Sequence, residues 1–273
     1  MSRYKMISIP EAQETVLRHT PALGVEEVPL AEAVGRVLAA PVGARDDLPP
    51  FPASIKDGYA VVASDGAGDF PLAGESRPGA LPDETLASGS VYYITTGAAV
   101  PPGADAVIQV EDTEKIAGAD GRPRVRILKA AKPGQDIRPV GSDIAAGAEV
   151  LSAGDVVGIA EVGILATVGA TRLPVFRAPL VGVLSTGDEV VDPEASSPGP
   201  GQIRDCNRAM LLAAAAAAGA GTVDLGIARD GEGDVEGAFA RALAAGVDVL
   251  ITSGGVSMGD RDLIKPLLAR DGE

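Results

Sequence analysis

From Leu173 onward the apolar positions switch repeatedly between the spacing of a buried strand and that of a helix. "APLVGVLSTGDEV" (178–190) is a short apolar run ending in a polar loop, and "DCNRAMLLAAAAAAGAG" (205–221) follows with helical character. That helix takes Asn207 or Asp205 as its N-cap and stops at Gly219. "TVDLGIARDG" (222–231) predicts a second strand, "EGDVEGAFARALAAG" (232–246) a second helix and "VDVLITSGG" (247–255) a third strand. This β-α-β-α-β order implies a parallel sheet covered by helices. The alanine run from Ala213 to Ala218 fits a good helix former lying close to a sheet, and carries no chemistry.

The first 170 residues have a different pattern. Ser8, Pro10 and Glu11 make an N-terminal helix signal, and the helix should run to about His19. A second helix is expected in "PLAEAVGRVLA" (29–39). "RDDLPPFPASIKDGYAVVASDGAGDFP" is crowded with Pro, Gly and Asp. Short strands then follow in "SVYYITTGAAVPPGADAVIQVEDTEKI" and "RPRVRILKAAKPG". Gly-bounded short strands after residue 135 lead into a helix over "AGDVVGIAEVGILATVG", starting near Ser152. The fold class is therefore α/β and multidomain. A helical and linker segment covers 1–48 and 135–172, a small β domain (49–134) is inserted in it, and a three-layer α/β domain with a mostly parallel sheet follows (173–273).

Composition narrows the function. Of the 273 residues 46% are hydrophobic, but none is Trp and only four each are Phe and Tyr, so the cores are aliphatic. A formal net charge of −15 argues against nucleic-acid and anionic-membrane partners, which both need a basic surface. Cys206 is the only cysteine and His19 the only histidine, which excludes an intramolecular disulfide, a thiolate metal cluster and a Ser-His triad within one chain. His19 sits near a helix end, where a cation meets the helix dipole. No run reaches the ~18 apolar residues of a membrane span and the N-terminus lacks a signal-peptide core, so a cytoplasmic protein is expected.

In an open parallel sheet, ligands bind beyond the carboxyl ends of the strands. Three such ends converge here: "LSTGDE" (184–189), "GIARD" (226–230) and "TSGGVSMGDRD" (252–262). Gly254 and Gly255 let a ligand approach the backbone, while Ser253 and Ser257 add neutral donors. Asp188, Glu189, Asp230, Asp260 and Asp262 are hard oxygen ligands that suit Mg²⁺ bridging a phosphate. Neither GxxxxGK[ST] nor a well-placed GxGxxG occurs, so turn glycines and N-caps compete with a phosphate site as the explanation.

Several blocks resemble the molybdopterin molybdenumtransferases, the family of bacterial MoeA and of the gephyrin E domain. They are "PPFPASIKDGYAV", "ITTGAAVPPGADAVIQVEDT", "PGQDIRPVGSDI", "LSTGDE", "IRDCNRAML" and "TSGGVSMGDRD", in family order along nearly the whole chain. The resemblance implies insertion of molybdenum from molybdate into adenylylated molybdopterin, with AMP released. It implies a homodimer formed through the helical segment, and a molybdopterin adenylyltransferase upstream that supplies the substrate. Asp57 and Thr96 resemble functional positions of the β domain that act across the dimer. Glu189, Asp230 and Asp262 resemble carboxylates of the cleft and are the implied Mg²⁺ ligands. Ser185, Thr186, Gly187, Ser253, Gly254, Gly255 and Ser257 resemble loops that contact the anionic ligand, with Lys265 neutralising phosphate. Asp57 before Gly58 and Thr96 before Gly97 also suit plain turns, and Glu189 suits a solvated position. Cys206 stands where relatives often carry Ser, which implies no special thiol role. The family pattern continues past "LLARDGE" with Lys-Pro-Gly and Pro-Gly-Asn-Pro motifs and a C-terminal β domain, so a fragment with an incomplete site is expected. The alternatives are a gephyrin-like scaffold that anchors receptors and the adenylyltransferase itself.

Overall fold

A computed structural model of the chain describes residues 6–119, 121–255, 264 and 268. The chain divides into two compact units. One comprises Met1–Ala40, Ala153–Val162 and Arg172–Glu273; the other comprises Pro41–Ser152 and Gly163–Thr171. Four α-helices occur among the described residues: α1 (Ile9–His19), α2 (Ile159–Thr167), α3 (Cys206–Ala217) and α4 (Glu232–Ala244).

In the first unit, three parallel strands lie in the order Gly221–Ala228, Leu180–Thr186, Val249–Ser253. The central strand is buried almost throughout, which is why "LVGVLST" reads as a continuous apolar run rather than an alternating one. Val235, Ala238 and Ala242 of α4 recur at helical spacing and pack with Leu184 and Leu225. Fully burying one such leucine contributes roughly 1.5–3 kcal/mol. Gly182 keeps the layers close, because a Cβ there would come within 2.9 Å of Leu225 and 3.1 Å of Val247.

Asp248, in the turn before the third strand, pins the start of the central one. Its carboxylate takes two bonds from the Arg177 guanidinium, at 2.7 and 2.9 Å, and one from the Leu180 N–H at 2.8 Å. The Arg177 bonds first, and then the Leu180 N–H, lower its pKa to about 2. A depressed carboxylate stabilises the fold above its ordinary pKa and loses that contribution as pH falls toward about 2. Asp248→Asn should therefore lower the urea midpoint at pH 7 and leave it unchanged near pH 2. Equal midpoints at pH 7 would show that the pair adds nothing.

The helix α1 has the predicted bounds, with the Ser8 hydroxyl accepting from the Glu11 N–H at 3.3 Å. None of its residues is buried. Residues 29–39 do not form the predicted helix. Val25–Pro29 is a strand paired antiparallel with Arg172–Phe176, a single 3₁₀ turn spans Leu30–Glu32, and Gly35 takes a positive φ of 82°. Beyond it Val37 and Leu38 bridge to Val156 and Val175. Pairing across the unit buries Leu38 completely and overrides local helix propensity. The same pairing delays α2, which starts at Ile159 and not near Ser152, because Asp155 and Val157 exchange ladder bonds with Leu38 and Arg36.

The second unit is built on a six-stranded mixed sheet. Its order is Ala106–Gln109, Gly58–Val61, Val91–Ile94, Gly68–Ser76, Pro123–Ile127, Thr113–Ala117. Gly68–Ser76 runs parallel to Val91–Ile94, and every other neighbouring pair is antiparallel. Tyr59, Val61, Val91, Ile108, Val125 and Ile127 fill its core. At Gly58 a Cβ would run into the Ile108 carbonyl oxygen, so only glycine lets the two strands approach there. That close approach fixes the backbone that carries Asp57.

Candidate functional site

The carboxyl ends of the parallel strands enclose a cavity of about 190 Å³ in the first unit. Ser185 and Thr186 end the central strand, Ser253 and Gly254 end its neighbour, and Glu189, Arg204, Asp205, Cys206 and Asn207 are among the residues that line the rest. Ser185 and Ser253 are register partners across the parallel pair, so their hydroxyls lie at the same level. The Ser185 Oγ is buried and has no hydrogen-bond partner among the described residues. An unpartnered buried hydroxyl costs free energy, which a ligand in the cavity would recover.

The loops around this cavity are shaped by close contacts. Gly254 has φ 92°, and a Cβ there would sit 2.8 Å from the Thr186 hydroxyl and 2.9 Å from its carbonyl. Gly255 has φ 69°, and its Cβ would meet the same hydroxyl and the Ile264 side chain at 2.9 Å. At Gly187, with φ 134°, a Cβ would collide with the Glu189 carboxylate. Gly254→Ala should thus cost about 1–3 kcal/mol through the left-handed backbone and press on Thr186 in the cavity wall. Chemical denaturation checks the first effect; a variant as stable as wild type would show that this loop relaxes.

Charged side chains fix the remaining wall. Arg229 Nη1 donates to the carbonyls of Asp188 at 3.0 Å and Val190 at 3.1 Å, which clamps the loop that carries Glu189. Arg208 reaches three carboxylates: Asp205 at 3.1 Å, Asp192 at 2.8 Å and Asp224 at 2.7 Å. Asp205 is also the N-cap of α3, accepting from the Arg208 N–H, so the choice between Asp205 and Asn207 falls to Asp205. Asn207 is thereby released to face the cavity, and its Nδ2 donates to Ser253 Oγ at 2.9 Å.

The second unit carries a separate cluster. The Thr96 N–H and hydroxyl both donate to Asp57 Oδ1, at 2.7 and 3.0 Å. These two bonds, the backbone one first, hold the Asp57 carboxyl below its ordinary pKa. Thr96 lines a cavity of about 340 Å³ with Ser54, Gly97, Arg138 and Asp143, and Arg138 bonds Asp143 at 3.2 Å.

Residues 7–169 match the family described as MoeA N-terminal region (domain I and II), and residues 182–273 match the family described as probable molybdopterin binding domain. The chain belongs to the MoeA family. Molybdopterin molybdenumtransferase 2 of Mycobacterium tuberculosis is 39% identical over 267 residues, covering 95% of this chain and 64% of that protein. Gephyrin of Dictyostelium discoideum is 36% identical over 99% of this chain and 41% of its own length. The crystal structure of a molybdopterin biosynthesis MoeA protein from Pyrococcus horikoshii superposes with a TM-score of 0.84 at 33% identity, covering 97% of this chain and 67% of that one. The chain thus spans less than two thirds of the length of the M. tuberculosis and D. discoideum relatives.

Within this MoeA-family chain, Ser185, Thr186, Glu189, Ser253 and Gly254 come together around the smaller cavity, with Gly187 and Gly255 shaping its edges. Asp230 is not part of its wall; its N–H donates to Asp188 Oδ1 at 3.3 Å in the adjoining loop. Ser257, Asp260, Asp262 and Lys265 lie outside the described residues. Among the described residues no three His, Cys, Asp or Glu side chains gather as a metal site, and no helix is long and apolar enough to cross a membrane. The sequence marks Asn207 only as an N-cap candidate, and nothing local to Arg208, Arg229, Arg138 or Asp143 marks them as site residues. The signal for Asn207 was available, since two N-cap candidates on one helix leave one side chain free for another task.

Proposed function

We propose that the protein of which this chain is the whole or a part acts in molybdenum cofactor biosynthesis as a molybdopterin molybdenumtransferase. It would insert molybdenum from molybdate into adenylylated molybdopterin and release AMP, using substrate supplied by a molybdopterin adenylyltransferase. The observation that carries this reading is the cavity at the parallel strand ends, where the buried, unpartnered Ser185 hydroxyl shares the wall with Thr186, Ser253, Asn207 and Glu189. Such a wall suits a phosphoryl oxygen. A carboxylate beside it suits Mg²⁺, which is usually held by one or two carboxylates plus substrate phosphates. In that role Glu189 would hold the cation from the cavity wall, the family resemblance would assign Asp230 of the adjoining loop and Asp262 to the same ion, and Mg²⁺ would offset charge on the departing phosphate. Ser185, Thr186, Ser253 and the backbone at Gly187, Gly254 and Gly255 would orient the phosphate, and the family resemblance would add Ser257 and Lys265 as contacts to the same anion.

Asp57 and Thr96 are assigned a role on a second copy of the chain. The helix α1 supports a homodimer: it has no buried residue, and Ile9, Val16 and Leu17 are bare on it. Sedimentation analysis of the chain should show a dimer that Leu17→Glu weakens; a monomer at every concentration would remove the second copy. The activity itself is tested by supplying adenylylated molybdopterin, molybdate and Mg²⁺ and following AMP. AMP release that requires molybdate is expected. Its absence, both from this chain and from a form extended to the length of the relatives, would refute the assignment.

A further inference from the structure

Two hydroxyls at the same level of adjacent parallel strands, Ser185 and Ser253, face the strand-end cavity. A serine hydroxyl has one hydrogen to donate and two lone pairs to accept. Which way it points is set by its other partner. Ser185 has none. Ser253 Oγ accepts from Asn207 Nδ2 at 2.9 Å, so its hydrogen remains free for a ligand. A donor to the amide oxygen favours that orientation over the flipped one. Cys206 Sγ lies 3.6 Å from Asn207 Oδ1, with the thiol donating, on the far side of the same amide.

We propose that Asn207 is a positioning residue for this site: held by the Cys206 thiol, its amide turns the Ser253 hydroxyl into a donor, and Ser253 and Ser185 together bind one tetrahedral oxyanion, a phosphate. Turning the amide over would present Oδ1 to Ser253, which would then donate to Asn207 and lose its hydrogen to the cavity. The thiol's part is to disfavour that second state. It acts as a hydrogen-bond donor and not as a nucleophile or metal ligand, so a hydroxyl in its place would serve. The inference rests on the reading of this cavity as a phosphate site, and it adds the residue that sets the direction of the hydrogen bonds.

The test is isothermal titration of the 273-residue chain with AMP in the presence of Mg²⁺. Asn207→Ala should weaken binding about fivefold, the usual scale of one hydrogen bond. Ser253→Ala should weaken it similarly. The double variant should be no weaker than Ser253→Ala alone, because Asn207 acts only through Ser253. Cys206→Ala should bind less well than Cys206→Ser. Asn207 and Cys206 are exposed, so truncation opens no core cavity, and unchanged melting temperatures would verify folding. If wild type binds AMP but Asn207→Ala binds equally well, or weakens binding by the same factor with and without Ser253, the positioning role is overturned and the phosphate site stands. If wild type fails to bind AMP, the phosphate reading falls and takes this role with it.

Discussion

Arg208→Met should lower the stability of the α/β unit by about 3–5 kcal/mol, the range for removing one partner from a buried ion pair. Arg208 is 8% exposed and Asp205 3%, while Asp192 and Asp224 are about half exposed at their side chains. Its Nε, Nη1 and Nη2 each address a different carboxylate, which no ammonium group can reproduce. Without it, the buried Asp205 carboxylate keeps only its capping bond from the N–H of residue 208, and three acids face one another in a chain that already carries an excess of negative charge. Arg208→Lys should recover less than half of the loss. Urea unfolding measures both variants. A loss under about 1 kcal/mol would mean that the cluster behaves like an exposed surface pair.

Glu189→Gln should slow AMP release by about 10²-fold, the lower end of what one positioned acid or base contributes, with the melting temperature unchanged. The substitution keeps the size of the side chain and removes its charge. Glu189 is exposed, and the loop that carries it is held through backbone carbonyls by Arg229 and not through its own carboxylate. No described contact of the fold uses the charge, which leaves it for the cation proposed above. Assays at increasing Mg²⁺ separate the two possible uses. A defect that shrinks as Mg²⁺ rises places Glu189 on the cation, and a defect that does not places it on proton transfer. Equal rates in variant and wild type would remove Glu189 from the chemistry.

The positions of these residues bear on how far a sequence can be read. The alternation of strand and helix from Leu180 to Ser253 was legible because each segment's period matches its burial, apolar throughout for the central strand and every third or fourth position for α4. Residues 29–39 misled because "LAEAVGRV" has good local helix formers, while its strand partners lie more than a hundred residues away at Val156 and Val175. A local propensity of a few tenths of a kcal/mol per residue cannot compete with such pairing once Leu38 is buried. Arg208 and Arg229 escaped notice for a related reason: each looks like a solvated helix or loop charge until its carboxylate or carbonyl partners are brought in from other segments.

The sequence alone determined the strand-end loops, the small and hydrogen-bonding residues in them and the family to which the chain belongs, because glycine, serine and acid spacings within one loop are local facts. Tertiary structure decided what those loops do together. It set Ser185 beside Ser253 by parallel register, left the Ser185 hydroxyl without a partner, gave the N-cap to Asp205 and so turned Asn207 toward the cavity. Asp230 stands next to that cavity and outside its wall. Hydrogen-bond direction depends on which donors meet which acceptors in space, and a one-dimensional pattern carries the donors and acceptors without their pairing.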